Sequence, residues 1–295
     1  MLAAAVLLSS SLGVSYAKTD EICQQAETES EKQSESQKET ESEKQSESQK
    51  ESESEKETET NSGGENLPAE RSTVLSSVRN YLLTKDANPD FSSIWNVIGL
   101  QRSGLYVPWS YTATFYQNVY AYCEQKNWKL TRTKYSDYSK LIMALTSIGI
   151  DAQNVGGHNL FYYLSDYENV RMQGINGPIW ALIALDSGDY EVPEDAYQSR
   201  EEILAELLKA QESDGGFSLS AGSGQMDVDI TAMALTALAP YYEENSEAKA
   251  AADLALSWLS EHQESDGGFC SSMDTGTESS ESCAQVLTAL CSLGI

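Results

Sequence analysis

Beyond residue 70 the apolar residues recur at helical spacing, and two kinds of helix alternate. Ile203, Leu204, Leu207 and Leu208 share one side of a helix, with Glu201, Glu202, Glu206 and Lys209 between them. Such a stripe faces a core while its back faces water. The segment 230–239 (ITAMALTALA) carries no charge, so a helix there is enclosed nearly all round. An amphipathic outer helix followed by an all-apolar inner one describes two concentric layers. The same criteria predict helices near 70–84, 91–102, 110–126, 134–148, 158–166, 174–186, 198–211, 228–240, 247–262 and 279–293, with no strand. The fold class is therefore all-α.

The helices repeat. QESDGGF occurs at 211–217 and again at 263–269, fifty-two residues later, and the segments after the two copies align at the same offset. Asp229 matches Glu281, Ala232 matches Ala284, and Leu235-Thr236-Ala237-Leu238 matches Leu287-Thr288-Ala289-Leu290. A third copy of the second half is 141–150 (LIMALTSIGI), against 286–295 (VLTALCSLGI). A further pair is IWNVIGLQRSGLYVP at 94–108 and IWALIALDSGDYEVP at 179–193. Repeats of this length mean stacked supersecondary units.

The element Q-x-x-D-G-G-F reads as a joint between helices. Gly215-Gly216 and Gly267-Gly268 end the outer helix with left-handed conformations that only glycine takes cheaply. Gln211, Gln263, Asp214 and Asp266 are placed to bond backbone groups freed at the turn, and Phe217 and Phe269 to plug the gap between helices.

The chain before this region is a different material. Residues 1–17 begin with a short apolar stretch and end in Ser15-Tyr16-Ala17, the small-x-small spacing of an export signal. Within 18–66, residues 26–66 hold fourteen Glu and five Lys, with no Val, Ile, Phe, Trp, Tyr or Cys. TESEKQSESQKE at 28–39 recurs at 40–51. This low-complexity segment has no apolar face to dock and reads as a disordered, self-repelling stalk. The expected organisation is a signal peptide at 1–17, a stalk at 18–66 and a helical repeat domain at 67–295, secreted or held at the cell surface. A net charge of −27 and a pI near 4.2 argue against nucleic acid and anionic membrane surfaces as partners. No second run reaches the length of a membrane span.

At the QxxDGGF copies the chain resembles the prenyltransferase and squalene-oxidase repeat superfamily, the α/α-toroid fold of triterpene cyclases and protein prenyltransferase β-subunits. The succession IWNVIGLQRSGLYVP, ALTSIGID, NVGGHNL and QGINGPIWALIALDSGDY is more similar to a secreted bacterial branch. That branch is itself similar to the helical barrel of intrinsic factor and transcobalamin. The resemblance covers about 70–295 and implies a six-by-six helical barrel with a central cavity.

It also implies where chemistry could lie. The segment 226–232 (MDVDITA) resembles the D-x-D-D-T-A element with which squalene-hopene-type cyclases protonate an alkene; Asp229 matches the acid and Asp227 its neighbour, while Ile230 replaces the third carboxylate. Read without the resemblance, Asp229 is an N-cap and Asp227 complements the helix dipole. Two histidines, His158 and His262, read as a loop residue and a helix-end residue, so no metal and no cofactor are predicted. Cys23, Cys123, Cys270, Cys283 and Cys291 form no C-x-x-C pair and read chiefly as buried thiols, one disulfide from Cys270 being permitted. Trp95 and Trp180 occupy equivalent repeat positions and read as core pegs. Tyr116, Tyr120, Phe161, Tyr162 and Tyr163 are candidates for the mouth of a ligand cavity.

The expected function is a non-catalytic toroid module that binds a small molecule or a surface partner. A terpene-cyclase-like enzyme with Asp229 as its acid and a structural spacer are the alternatives. Ten helices fall short of a six-by-six barrel, so a further helix pair is expected after Ile295. Its absence should open a gap between last and first helices and leave an apolar patch at Val286, Leu290 and Leu293.

Overall fold

Alternating amphipathic and all-apolar segments become eleven α-helices, with no strand among the described residues. The structure is a computed structural model and describes residues 69–193, 196, 198–271 and 279–295. The signal peptide and stalk assigned to 1–17 and 18–66 lie outside them. The helices are α1 (Ala69–Lys85), α2 (Ile94–Arg102), α3 (Trp109–Gln125), α4 (Ser136–Ser147), α5 (Phe161–Leu164), α6 (Tyr167–Val170), α7 (Asn176–Asp186), α8 (Arg200–Lys209), α9 (Val228–Leu238), α10 (Ser246–Glu261) and α11 (Ser280–Ser292). No helix among the described residues is long and apolar enough to cross a membrane.

Sequence explains the ends. Ser199 accepts from the Glu202 N–H while the Glu202 carboxylate accepts from the Ser199 N–H, a capping box that starts α8. Asn245 caps α10 by accepting from the amides of Glu247 and Ala248. The single helix expected over 158–166 is broken instead. Val155 and His158 close a β-bridge ahead of it, and Asp166 turns to ψ 73° as the N-cap of α6, so two one-turn helices replace one.

The apolar helices form an inner row: α2 packs on α4, α4 on α7, α7 on α9 and α9 on α11. Outside it, α8 lies against α7, α10 lies against α9, and α8 and α10 touch. Every residue of α9 except Asp229 is buried, as expected for a helix whose other residues are all uncharged. In α8 only Ile203, Leu204 and Leu207 are buried; Glu201 and Glu202 face water, and half-buried Glu206 pairs with Arg171. The row runs from α2 to α11, and these two ends are not close packing partners. At α11 the exposed apolar side chain is Leu287, at 52%, with Leu290 and Leu293 half-buried beside it. Val286, expected in that patch, is 2% exposed because it points inward against the row.

Candidate functional site

The two QESDGGF copies are built alike. Gly215 and Gly267 adopt φ +96° and +92°, and in both copies the Glu N–H donates to the second glycine's carbonyl, Glu212 to Gly216 at 3.0 Å and Glu264 to Gly268 at 2.9 Å. Only the first glycine of each pair is left-handed. Gly216 is needed for a different reason: a Cβ there would lie 2.9 Å from the Trp258 ring and from Met226 Sδ. Gln211 and Gln263 donate to the carbonyls of Gly215 and Gly267 at 2.8 and 3.0 Å. The Asp266 carboxylate accepts from Gly268 N–H, and Phe217 and Phe269 are buried.

After each phenylalanine the chain doubles back to a helix cap. Asp227 N–H donates to Phe217 O and Ser279 N–H to Phe269 O, and both residues are N-caps, fifty-two positions apart. The capping carboxylate is thus Asp227, not Asp229. It accepts from the amides of Asp229 and Ile230 at 2.9 and 3.2 Å through Oδ1, and from the Ser271 hydroxyl at 2.7 Å through Oδ2. Asp229 sits half-buried one residue inside the first turn. The extended backbone of Asp227 and its bond back to Phe217 decide which carboxylate caps, and neither is visible in the sequence. Asp227, matched to the neighbour of the cyclase acid, is thus a buried acceptor.

Both histidines stack on tryptophan. His158 lies 3.9 Å from Trp128, and His262 lies 3.7 Å from Trp258 at the C-cap of α10 with Nδ1 2.7 Å from Trp258 O. Cys123, Cys283 and Cys291 are free thiols. Cys23 lies outside the described residues. Burial pushes the Cys123 thiol up to about 12.

The five aromatic residues proposed for a cavity mouth differ in their surroundings. Tyr116 and Tyr120 pair along α3, and Tyr120 meets Trp128 edge-on. Tyr163 stacks on Tyr138 at 4.5 Å, while Tyr162 is exposed. Phe161 is buried against Tyr190 and lines a cleft of about 20 Å³ with Leu164, Tyr167 and Leu185, room for one water. An open groove of about 380 Å³ at Asp189, Glu191, Arg200 and Glu201 has its cation engaged, since Arg200 pairs with Asp186 and donates to Tyr190 O at 2.5 Å.

One register position of the inner row brings different chemistry together. Counting nine residues back from the left-handed residues Gly104, Gly149, Asp189 and Gly294 leads to Trp95, Lys140, Trp180 and Gln285. Trp95, Lys140 and Trp180 therefore stand level on α2, α4 and α7. The two indoles meet at 5.5 Å across α4, and Lys140 Nζ lies 5.8 Å over the Trp95 ring. All three side chains are half-buried. Burial, reinforced by Lys134 and opposed by Asp137, holds the Lys140 pKa below the ordinary 10.5. Among the described residues no carboxylate lies within ion-pair distance of its ammonium. The equivalence of Trp95 and Trp180 is legible in the sequence. The lysine is legible too, as the residue before the third repeat copy, but nothing marks that copy as level with the tryptophans.

No family model matches this chain, and no curated protein matches it.

Proposed function

We propose that the chain is an α/α-toroid module, secreted or displayed at the cell surface, that binds a planar ligand carrying an anionic group at Trp95, Lys140 and Trp180. The observation that carries the reading is a partly desolvated ammonium, without a carboxylate partner among the described residues, that lies over one half-buried indole, Trp95, which itself meets a second, Trp180. An anion placed there compensates a charge that burial has partly desolvated. A flat apolar body covers indole surface that is still wet and adds stacking. The Q-x-x-D-G-G-F joints and the alternation of outer and inner helices support the toroid reading.

The test is quenching of tryptophan fluorescence by a panel of aromatic carboxylates, with the full chain and its Lys140→Met and Trp180→Ala variants. Saturable quenching that each variant weakens at least about tenfold is expected, since a charge-assisted contact contributes about 1.5–3 kcal/mol. Affinity should fall as pH rises through the lowered Lys140 value, earlier than for an exposed lysine, because only the ammonium attracts the anion. Quenching that is unsaturable, or equal in wild type and Lys140→Met, would overturn the reading.

A further inference from the structure

Between the first joint and the cap of α9 the chain makes a small closed loop. Ser218 and Met226 form a β-bridge at its neck, and the residues between them, 219–225 (LSAGSGQ), are all exposed. Leu219 is the one large apolar side chain among them, and it too is largely in water. A segment that buries so little owes its shape to hydrogen bonds.

Those bonds converge on one carboxylate. Glu212 Oε1 accepts from Gly222 N–H at 2.9 Å and from Gly224 N–H at 3.2 Å. Both glycines are left-handed, at φ +76° and +68°, a bend that brings two amides of one short stretch to the same oxygen. The backbone N–H of Glu212 is engaged elsewhere, in the bond to Gly216 O that both copies of the joint share, so the turn itself does not need this side chain.

The loop lies on the start of α7. Ile175, the N-cap of that helix, donates its N–H to Leu219 O at 3.0 Å. Gly174 makes the approach possible, since it is left-handed at φ +61° and a Cβ there would collide with Leu219 O.

We propose that Glu212 is an acid-released latch: its carboxylate holds loop 219–225 closed against the start of α7, and protonation lets the loop open. The ionised carboxylate accepts both amides as charge-assisted bonds, which the neutral acid cannot do. The nearby Ser218 hydroxyl and the amides of Gly224 and Gly222 hold the Glu212 carboxyl below its ordinary value, as they must if the charged form is the one that is bound. A lowered folded value sets the sign. The latch is fully engaged above the ordinary carboxylate value and is lost as the pH falls through the lowered one. On the surrounding elements Lys209 ends α8, Asp214 follows in the turn, and Asp253 and Glu261 flank Leu254 and Trp258 on α10; among the described residues no charged side chain contributes to the shift. Residues 219–225 carry no titratable side chain.

The test is amide NMR of the full chain, titrated from neutral to acid pH, beside its Glu212→Gln and Glu212→Ala variants. The Gly222 and Gly224 amide protons should shift together with one midpoint below the ordinary carboxylate range. Their exchange, corrected for its intrinsic pH dependence, should accelerate at least about tenfold across that midpoint, with Ile175 following. Glu212→Ala should show the open loop at neutral pH, whereas Glu212→Gln, which keeps a neutral acceptor, should hold it weakly and without titration. Gly215 N–H, bonded to the Glu212 backbone carbonyl, should stay protected in all three proteins, which separates opening of the latch from unfolding of the joint. Gly222 and Gly224 titrating apart, equal loop exchange in wild type and Glu212→Ala at neutral pH, or a loop that opens only together with Gly215 would overturn the proposal.

Discussion

Residues 211–217 and 263–269 are the same seven amino acids with nearly the same backbone, yet Gln211 is half-buried and bonded across to Ala251 while Gln263 stands in water. Gly215 and Gly216 are buried under α10, and Gly267 is exposed. Local sequence sets the turn, since both copies place the first glycine in the left-handed region and donate from glutamine to the turn carbonyl. What the turn contributes to stability depends on the helix laid over it. One motif therefore acts as a buried clamp in the first copy and as an open edge in the second.

Paired substitutions test this difference directly. The largest effect belongs to the plugs: Phe217→Ala should cost about 3–5 kcal/mol in urea unfolding. Phe269→Ala should cost less, because Phe269 is 8% exposed and its surroundings can relax into solvent, whereas Phe217 is 0% exposed. Equal losses would mean that the two joints are equally enclosed. The glycines give a sharper contrast at matched φ. Gly215→Ala and Gly267→Ala each carry the left-handed penalty of about 1–2 kcal/mol. Only Gly215→Ala also drives a methyl into the Leu254 carbonyl, which adds about 1–3 kcal/mol of overpacking. The excess should disappear if α10 is displaced. The smallest effect belongs to the glutamines. Gln211→Ala removes two hydrogen bonds and should cost about 1–3 kcal/mol, while Gln263→Ala, at an exposed single bond, should cost about 0.5 kcal/mol or less. Amide exchange at Gly215 and Gly267 reads the same contrast without mutation, since the covered turn exchanges more slowly.

The tryptophans show how far repetition can be read. Trp95 and Trp180 stand out as equivalent because the fifteen residues around each align. Lys140 belongs to a different repeat match and becomes their neighbour only because α4 packs between α2 and α7. The aromatic run at 161–163 shows the opposite case. Neighbours in sequence diverge around a one-turn helix, so Phe161 enters the core, Tyr162 points to water and Tyr163 stacks on Tyr138.

The helical class, the alternation of half-apolar and wholly apolar helices, most helix bounds within a few residues, and the repeat with its glycine turns are all legible in the order of the amino acids. They follow from local propensity, periodicity and the φ a turn demands, which a short segment carries with it. Packing in three dimensions determines which copy of the motif is covered, which aspartate caps α9 and which side chains share the inner face. Burial and contact belong to a residue's neighbours in space, and identical residues cannot encode different neighbours.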